Sequence, residues 1–206
     1  MAFATLLAGC AGNNEIDVES GVGITATRSA CPAAGIPVHT GDITVFNPLT
    51  SRDAAAIDIT ANITNLRTQC NDQGEQIFAI ASFDVQASRR NPAGARQVTL
   101  PYFSTVVQGG SSVVAKRLGS VTINFADGEY RAQASGRASA YVSRAAVTLP
   151  AEIEQQITRR RKAGDTDAAV DPMTIPEVRA AVQRATFELL VGFQLSQDQL
   201  RYNVTR

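Results

Sequence analysis

Apolar and polar residues alternate with a period of two through much of the chain. In the run 57–64, the isoleucines and Ala61 occupy every second position, with polar residues between them. Such alternation predicts half-buried strands, and we expect about six antiparallel ones between residues 42 and 143. A turn signal at 71–74 predicts a hairpin between the runs before and after it. Asp127 followed by Gly128 predicts a second hairpin over 112–143.

Two features of these strands predict their surroundings. Pro101 has no backbone N–H to donate, so we expect its strand to lie at a sheet edge or to contain a bulge. The run 132–140 places small residues on its apolar side, chiefly alanine and Gly136. We expect bulky groups from a helix or from a second sheet to pack against it.

Beyond Pro150 the spacing changes to that of a helix. Ile153 and Ile157 are four residues apart and predict a helix that begins at Pro150. Residues 174–177 have the form of a capping box and predict a second helix through Leu189, which ends near Gly192. The fold class expected is mainly β, an antiparallel sandwich-like or α+β body with two C-terminal helices.

Composition narrows the classes of function. Lys plus Arg and Asp plus Glu are equal at 19 each, and aromatic residues make up 6%. A nucleic-acid binder needs a concentrated basic face and stacking platforms, so we expect no nucleic-acid partner. No apolar run reaches the length of a membrane-spanning helix.

The segment Leu7-Ala8-Gly9-Cys10 resembles the lipobox of bacterial outer-membrane lipoproteins, and the chain as a whole resembles uncharacterised alphaproteobacterial envelope lipoproteins. The resemblance implies diacylglycerol and a fatty acid on Cys10, with no other cofactor. It also implies an anchor on the periplasmic side of the outer membrane. The apolar stretch before the lipobox is short and has no basic residue ahead of it, so we expect the true start to lie upstream.

This interpretation divides the chain into three parts. Residues 1–9 are expected to be the remnant of a signal peptide, and 10–41 the lipidated N-terminus and tether. Residues 42–206 are expected to form a single β-rich domain with the C-terminal helices. With Cys10 lipidated, Cys31 and Cys70 remain as a pair in an oxidising compartment and are expected to form a disulfide. Two buried free thiols are the alternative.

The strongest local charge is the run Arg159, Arg160, Arg161 and Lys162. It is a candidate contact for an anionic partner, and the alternative is a solvated helix C-terminus that complements the helix dipole. Asp165, Asp167 and Asp171 lack the glycine and the distal glutamate of a calcium loop, so we expect no metal site. With His39 as the single histidine, we identify no catalytic residues and expect no enzyme.

The function expected from the sequence is a lipid-anchored binding or scaffolding module for another envelope component. Exposed sheet edges and the hairpin over 112–143 are the expected docking sites for a partner strand. The alternative is a periplasmic binder of a small apolar or lipidic ligand, held in a cavity lined by 132–140.

Overall fold

The computed structural model describes residues 25, 26, 28–162 and 164–205. The strands are β1 Ala33–Gly35, β2 Asp42–Phe46, β3 Ile57–Asn71, β4 Gln76–Arg89, β5 Arg96–Gln108, β6 Ser112–Phe125, β7 Arg131–Ser143 and β8 Phe187–Phe193. The α-helices are α1 Arg144–Val147, α2 Ala151–Thr158, α3 Pro176–Arg184 and α4 Gln197–Thr205, and the short 3-10 helices are Ala54–Ala56 and Pro172–Thr174.

The strands form two four-stranded sheets, as in a sandwich. The first sheet has the order β1-β8-β5-β6 and the second the order β2-β3-β4-β7. All pairings are antiparallel except that of β1 with β8, which is parallel. The expectation of a mainly β fold with C-terminal helices is confirmed.

The core lies between the inner faces of the two sheets. Phe83, Ile77 and Val85 from β4 meet Ile123 from β6 and Phe193 from β8, and each of these side chains is at most 1% exposed. A smaller apolar cluster holds the helices to the body, with Ile157 of α2 packed near Val178 of α3. Burial on one face of each strand explains the alternation seen in the sequence.

One expected hairpin is confirmed and the other is wrong. β3 and β4 pair along most of their length across the turn at 72–75. β6 pairs with β5, however, while β7 pairs with β4 in the other sheet. The chain around Asp127 and Gly128 therefore crosses from one sheet to the other. Alternation and a tight turn are the same for a hairpin and for such a corner, so the sequence pattern does not distinguish them.

The expected second C-terminal helix is shorter than its apolar spacing suggested. α3 ends at Arg184, and the following residues form β8, a strand between β1 and β5. Apart from Glu188, β8 is apolar, and its outer face is partly covered, so strict alternation is missing. Periodicity cannot separate such a short apolar run from a buried helix. The C-terminal residues form α4.

The prediction that Pro101 lies on an edge strand is wrong in sheet order, because β5 lies between β8 and β6. Its physical basis nevertheless holds locally. β8 ends at Phe193, opposite Tyr102. No strand of the first sheet therefore needs a backbone hydrogen bond donated by Pro101 on that side. The carbonyl of Pro101 still accepts a hydrogen bond from the Gln194 N–H.

Part of the segment expected to be tether joins the folded body. β1 extends the first sheet beside β8. The Arg28 guanidinium donates to the Ala185 carbonyl at 2.8 Å and to the Val147 carbonyl at 3.4 Å. The body therefore includes residues before 42, and residues 1–24 lie outside the described part of the chain.

Candidate functional site

The two sheets leave a seam where their edge strands β6 and β7 run beside each other. Each strand pairs on one side only among the described residues, with β5 and β4 respectively. The free edges leave backbone N–H and C=O groups available for a further strand. We refer to residues 112–118 of β6 and 138–141 of β7 as the seam.

Two aromatic rings close the end of the seam next to Gly119 and Gly136, and each ring lies over one of these glycines. The ring of Tyr102 occupies the space that a Cβ on Gly119 would need, and the ring of Phe83 does the same at Gly136. The two rings meet edge to face at 5.1 Å. The Tyr102 hydroxyl donates to the Arg137 carbonyl at 2.7 Å and so joins β5 to β7. Burial raises the pKa of this phenol.

These rings explain why residues 132–140 have small side chains on their apolar side. Bulky groups do pack there, and they come from Phe83 in the neighbouring strand and from Tyr102 in the other sheet. The space beside Gly136 is filled by the Phe83 ring. An apolar ligand at that position would have to displace this ring, so the geometry gives the ligand-binding alternative no support there.

Beyond Tyr102 a small cavity of about 80 Å³ opens between β5, β6 and β7. Its lining residues are Ser104, Val106, Ala115, Arg117, Ser139, Ala140 and Tyr141. Ser104 is buried although it is polar. The cavity therefore offers a mixed polar and apolar floor beside the free edge of β6.

The first half of β6 is unusual because nothing covers either of its faces. Residues 112–118 are all exposed, whereas Val121, Ile123 and Phe125 in the second half are buried. Val113, Val114 and Leu118 are 61%, 49% and 69% exposed. The register of β5 and β6 shifts between Val106 and Val107, so β6 carries an extra residue there. A bulge of this kind bends an edge strand and is common near functional sites.

The seam is basic. Lys116 and Arg117 are adjacent in β6, and 112–120 contains no acidic residue. The Lys116 ammonium lies 5.2 Å from the centre of the Phe103 ring, which holds it on the outer side of the first sheet. Arg117 lines the cavity on the inner side. A strand that added to β6 would meet positive charge on both of its faces.

The expected disulfide is confirmed. Cys31 and Cys70 are joined, with their Cα atoms 6.1 Å apart, and the bond links the segment before β1 to the end of β3. The alternative of two free thiols is therefore excluded. The expected lipidation site, Cys10, lies outside the described residues.

In the basic run beyond α2, three residues are exposed and Arg161 is buried. Arg161 is 5% exposed and its Nε lies 3.2 Å from the Asp167 carboxylate. Arg159 is paired with the same carboxylate at 2.5 Å. These arginines hold the pKa of Asp167 below its ordinary value, chiefly through the hydrogen bond from Arg161. Arg159, Arg160 and Lys162 are exposed at the surface.

The other acids of this loop also bind within the chain. The Asp165 carboxylate accepts the Lys162 backbone N–H at 2.9 Å, and the Asp171 carboxylate accepts the Met173 N–H at 2.8 Å. His39 lies in a turn with φ of 64°, and its carbonyl accepts a hydrogen bond from the Asn203 amide. Sequence reasoning located the disulfide. The docking region expected over 112–143 contains the seam, although the hairpin pairing assumed there is wrong.

In the sequence, the β6 part of the seam corresponds to an apolar and basic run, 113–118, that lacks alternation. Such a run is compatible with a buried strand as well as with an exposed edge, so only the fold reveals it. No helix among the described residues is both long enough and apolar enough to span a membrane. Comparison with family models, curated proteins and solved structures finds no match to this chain.

Proposed function

We propose that this protein is a lipid-anchored envelope module that binds an extended segment of a partner protein at the seam. The lipid on Cys10 holds the body at the periplasmic side of the outer membrane. The partner segment adds to β6 as a further strand of the first sheet. The observation that carries the proposal is the uncovered half of β6, with a free edge beside an open cavity.

Strand addition supplies affinity through the backbone and selectivity through side chains. The partner's N–H and C=O groups pair with those of 112–118, while its alternate side chains meet Arg117 on one face and Lys116 on the other. We therefore expect a partner segment that combines acidic and apolar residues, with apolar groups against Val113 and Leu118.

The same charges disfavour pairing between two copies of this edge. An antiparallel pair of β6 strands would bring Lys116 and Arg117 of one copy close to those of the other. Like charges on opposed strands are destabilising. The seam therefore favours an acidic partner over a second copy of the chain.

The anchor is tested by the variant Cys10→Ser, made with its natural leader. We expect the protein to leave the membrane fraction, because the acyl chains supply about 0.8 kcal/mol of membrane affinity per buried methylene. The matched control is Cys31→Ser, which removes a different thiol and should leave membrane sedimentation unchanged. Membrane sedimentation that persists in Cys10→Ser contradicts the anchor.

The docking site is tested by photo-crosslinking in living cells. A photoreactive side chain at Leu118 should capture one partner protein, since this position is exposed on the seam. The same group at Gln97, an exposed position near the other end of the first sheet, is the control. The charge reversal Lys116→Glu with Arg117→Glu should abolish the product from position 118. Equal capture from both positions, or capture unaffected by charge reversal, contradicts the proposal.

A further inference from the structure

The outer face of the second sheet carries a polar groove that has no part in strand addition. Two open depressions of about 570 and 630 Å³ adjoin on this face, and both are lined by Thr60 and Ser88. They form one elongated groove across β3, β4 and β7. Its end beside β3 is lined largely by the aliphatic side chains of Ala54, Ala55 and Ile57, whereas its end beside β7 is polar.

The groove floor is built from cross-strand rows of hydrogen-bonding side chains. The registry places Thr60, Ser88 and Arg131 in one row and Asn62, Gln86 and Gln133 in the next. A third row, with Thr64, Asp84 and Ser135, continues the same face beyond the groove. Successive rows are two residues apart, or about 6.8 Å. Amides and hydroxyls both donate and accept, as the hydroxyl groups of a sugar chain require.

A bulge fixes one end of this surface. Asn65 adopts a φ of 51° where the register of β3 and β4 shifts. Its amide donates to the Asp84 carboxylate at 2.7 Å, and the Ser135 hydroxyl donates to the same carboxylate at 2.8 Å. Arg67 in turn donates to the Asn65 carbonyl oxygen at 2.8 Å. The side chains at this end are therefore held in place before any ligand arrives.

The face carries an excess of positive charge. Arg131 lines the groove, and Arg137 lies on the same face of β7 about 20 Å further along the strand, a spacing that suits a chain-like ligand. Both side chains are exposed, and neither guanidinium group meets an acceptor among the described residues. Its two carboxylates are already engaged, Asp84 as above and Asp58 in a bidentate pair with Arg96 at 2.7 and 2.8 Å. The charge left unpaired is positive, and guanidinium groups bind carboxylates in bidentate fashion.

From the elongated groove, the hydroxyl and amide rows and the free guanidinium groups, we infer that this face binds an acidic polysaccharide chain. The carboxylates of the sugar units bind Arg131 and Arg137, and the hydroxyl groups bind the rows of Gln86 and Gln133. A nucleic acid fits less well, because the exposed ring on this face, Tyr141, is already packed on Phe78 at 4.6 Å. The inference does not depend on the lipid anchor or on the seam.

The test is calorimetric titration of the soluble body with polygalacturonate at about 0.15 M salt, where weak surface electrostatics are screened. Neutral dextran and polyglutamate are the comparison ligands. We expect polygalacturonate to bind, and dextran and polyglutamate to bind at least about tenfold more weakly, since each lacks one of the two recognised groups. Absence of polygalacturonate binding, or equal binding of polyglutamate, overturns the inference.

Two matched double variants localise the binding. Arg131→Gln with Arg137→Gln should weaken polygalacturonate binding about tenfold or more, because it removes the charge-assisted hydrogen bonds. Lys116→Gln with Arg117→Gln removes the same charge from the seam and should change binding less than about twofold. Equal effects of the two pairs would mean attraction by net charge alone and would overturn the inference.

A third pair separates recognition of hydroxyl groups from charge. Gln86→Ala with Gln133→Ala leaves every arginine in place and alters two exposed side chains. We expect binding to weaken several-fold, with the melting temperature unchanged. Unaltered binding would show that the amide rows are not used, which contradicts a polysaccharide ligand.

Discussion

At the scale of single residues, Arg89 is a buried charged group that needs several hydrogen-bond acceptors. It is 3% exposed, lies 5.1 Å from the centre of the Phe125 ring, and is the last residue of β4. Its guanidinium donates four hydrogen bonds of 2.6–2.7 Å to backbone carbonyls of Pro92, Gly94, Ala126 and Glu129. One side chain thus ties together the two loops at this end of the sandwich.

We expect Arg89→Met to lower the free energy of unfolding by about 3 kcal/mol, because several buried carbonyls lose their donors together. Urea denaturation measures the change. The control is Arg131→Met on the exposed outer face, which should cost less than about 0.5 kcal/mol. Equal losses for the two variants would show that the Arg89 hydrogen bonds add no stability.

The Asp58 and Arg96 pair predicts a dependence of stability on pH. The hydrogen bonds from Arg96 lower the pKa of Asp58 below its ordinary value, with charge attraction adding to them and burial opposing them. A carboxylate with a lowered pKa in the folded state stabilises the fold above its unfolded pKa of about 3.9. This contribution is lost as the pH falls through the folded pKa.

Asp58→Asn should therefore lose less stability than the natural protein between pH 6 and pH 3, and Arg96→Gln should behave in the same way. Urea midpoints at each pH measure the difference. A natural protein and an Asp58→Asn variant that lose equal stability on acidification would contradict the pairing.

Some of these contacts can be predicted from the residue types alone, and others cannot. The pairing of Cys31 with Cys70 was predicted from an even count of cysteines in an expected oxidising compartment. The role of Arg89 could not be predicted, because its carbonyl partners belong to loops brought together only by the fold. The left-handed backbone of Asn65 depends on a shift of register between two strands and is equally hidden in the sequence.

At the scale of elements, the disulfide links the segment before β1 to β3 of the second sheet. It closes a loop of 39 residues that contains β1, β2 and most of β3. The first sheet gains β1 as an edge strand of only three residues, so few hydrogen bonds hold it.

We expect replacement of both cysteines, Cys31→Ser with Cys70→Ser, to lower the free energy of unfolding by about 3 to 4 kcal/mol in the chain-entropy model. Chemical denaturation measures this loss. Reductant should destabilise the natural protein by a similar amount and leave the double variant unchanged. A natural protein that is indifferent to reductant would contradict this role of the disulfide.

Periodicity predicted elements well where one face of a strand is buried. β3 and β4 were identified together with their hairpin. Periodicity failed for β8, whose central position partly covers its outer face as well. It also failed for β6 and β7, whose connecting turn is that of a hairpin although they enter different sheets. Which strands become neighbours is decided by packing of the whole core rather than by local pattern.

At the scale of the whole molecule, the fold separates two surfaces. The seam presents a free strand edge with Lys116 and Arg117, and the outer face of the second sheet presents polar rows with Arg131 and Arg137. The chain carries equal numbers of acidic and basic residues. Its net charge therefore gave no sign of either surface, since both arise from local arrangement.

The first described residues are fixed to the body between the end of β7 and the start of β8. Arg28 contacts the carbonyls of Val147, which follows β7, and Ala185, which precedes β8.

Hydrogen exchange in native envelopes tests strand addition most directly. In the purified protein, about half of the amides of 112–118 point away from β5 and should exchange rapidly. In envelopes these same amides should become protected, because the partner strand accepts their hydrogen bonds, while amides in the turn at 72–75 stay unchanged. Equal exchange of 112–118 in the purified protein and in envelopes would contradict the proposed function.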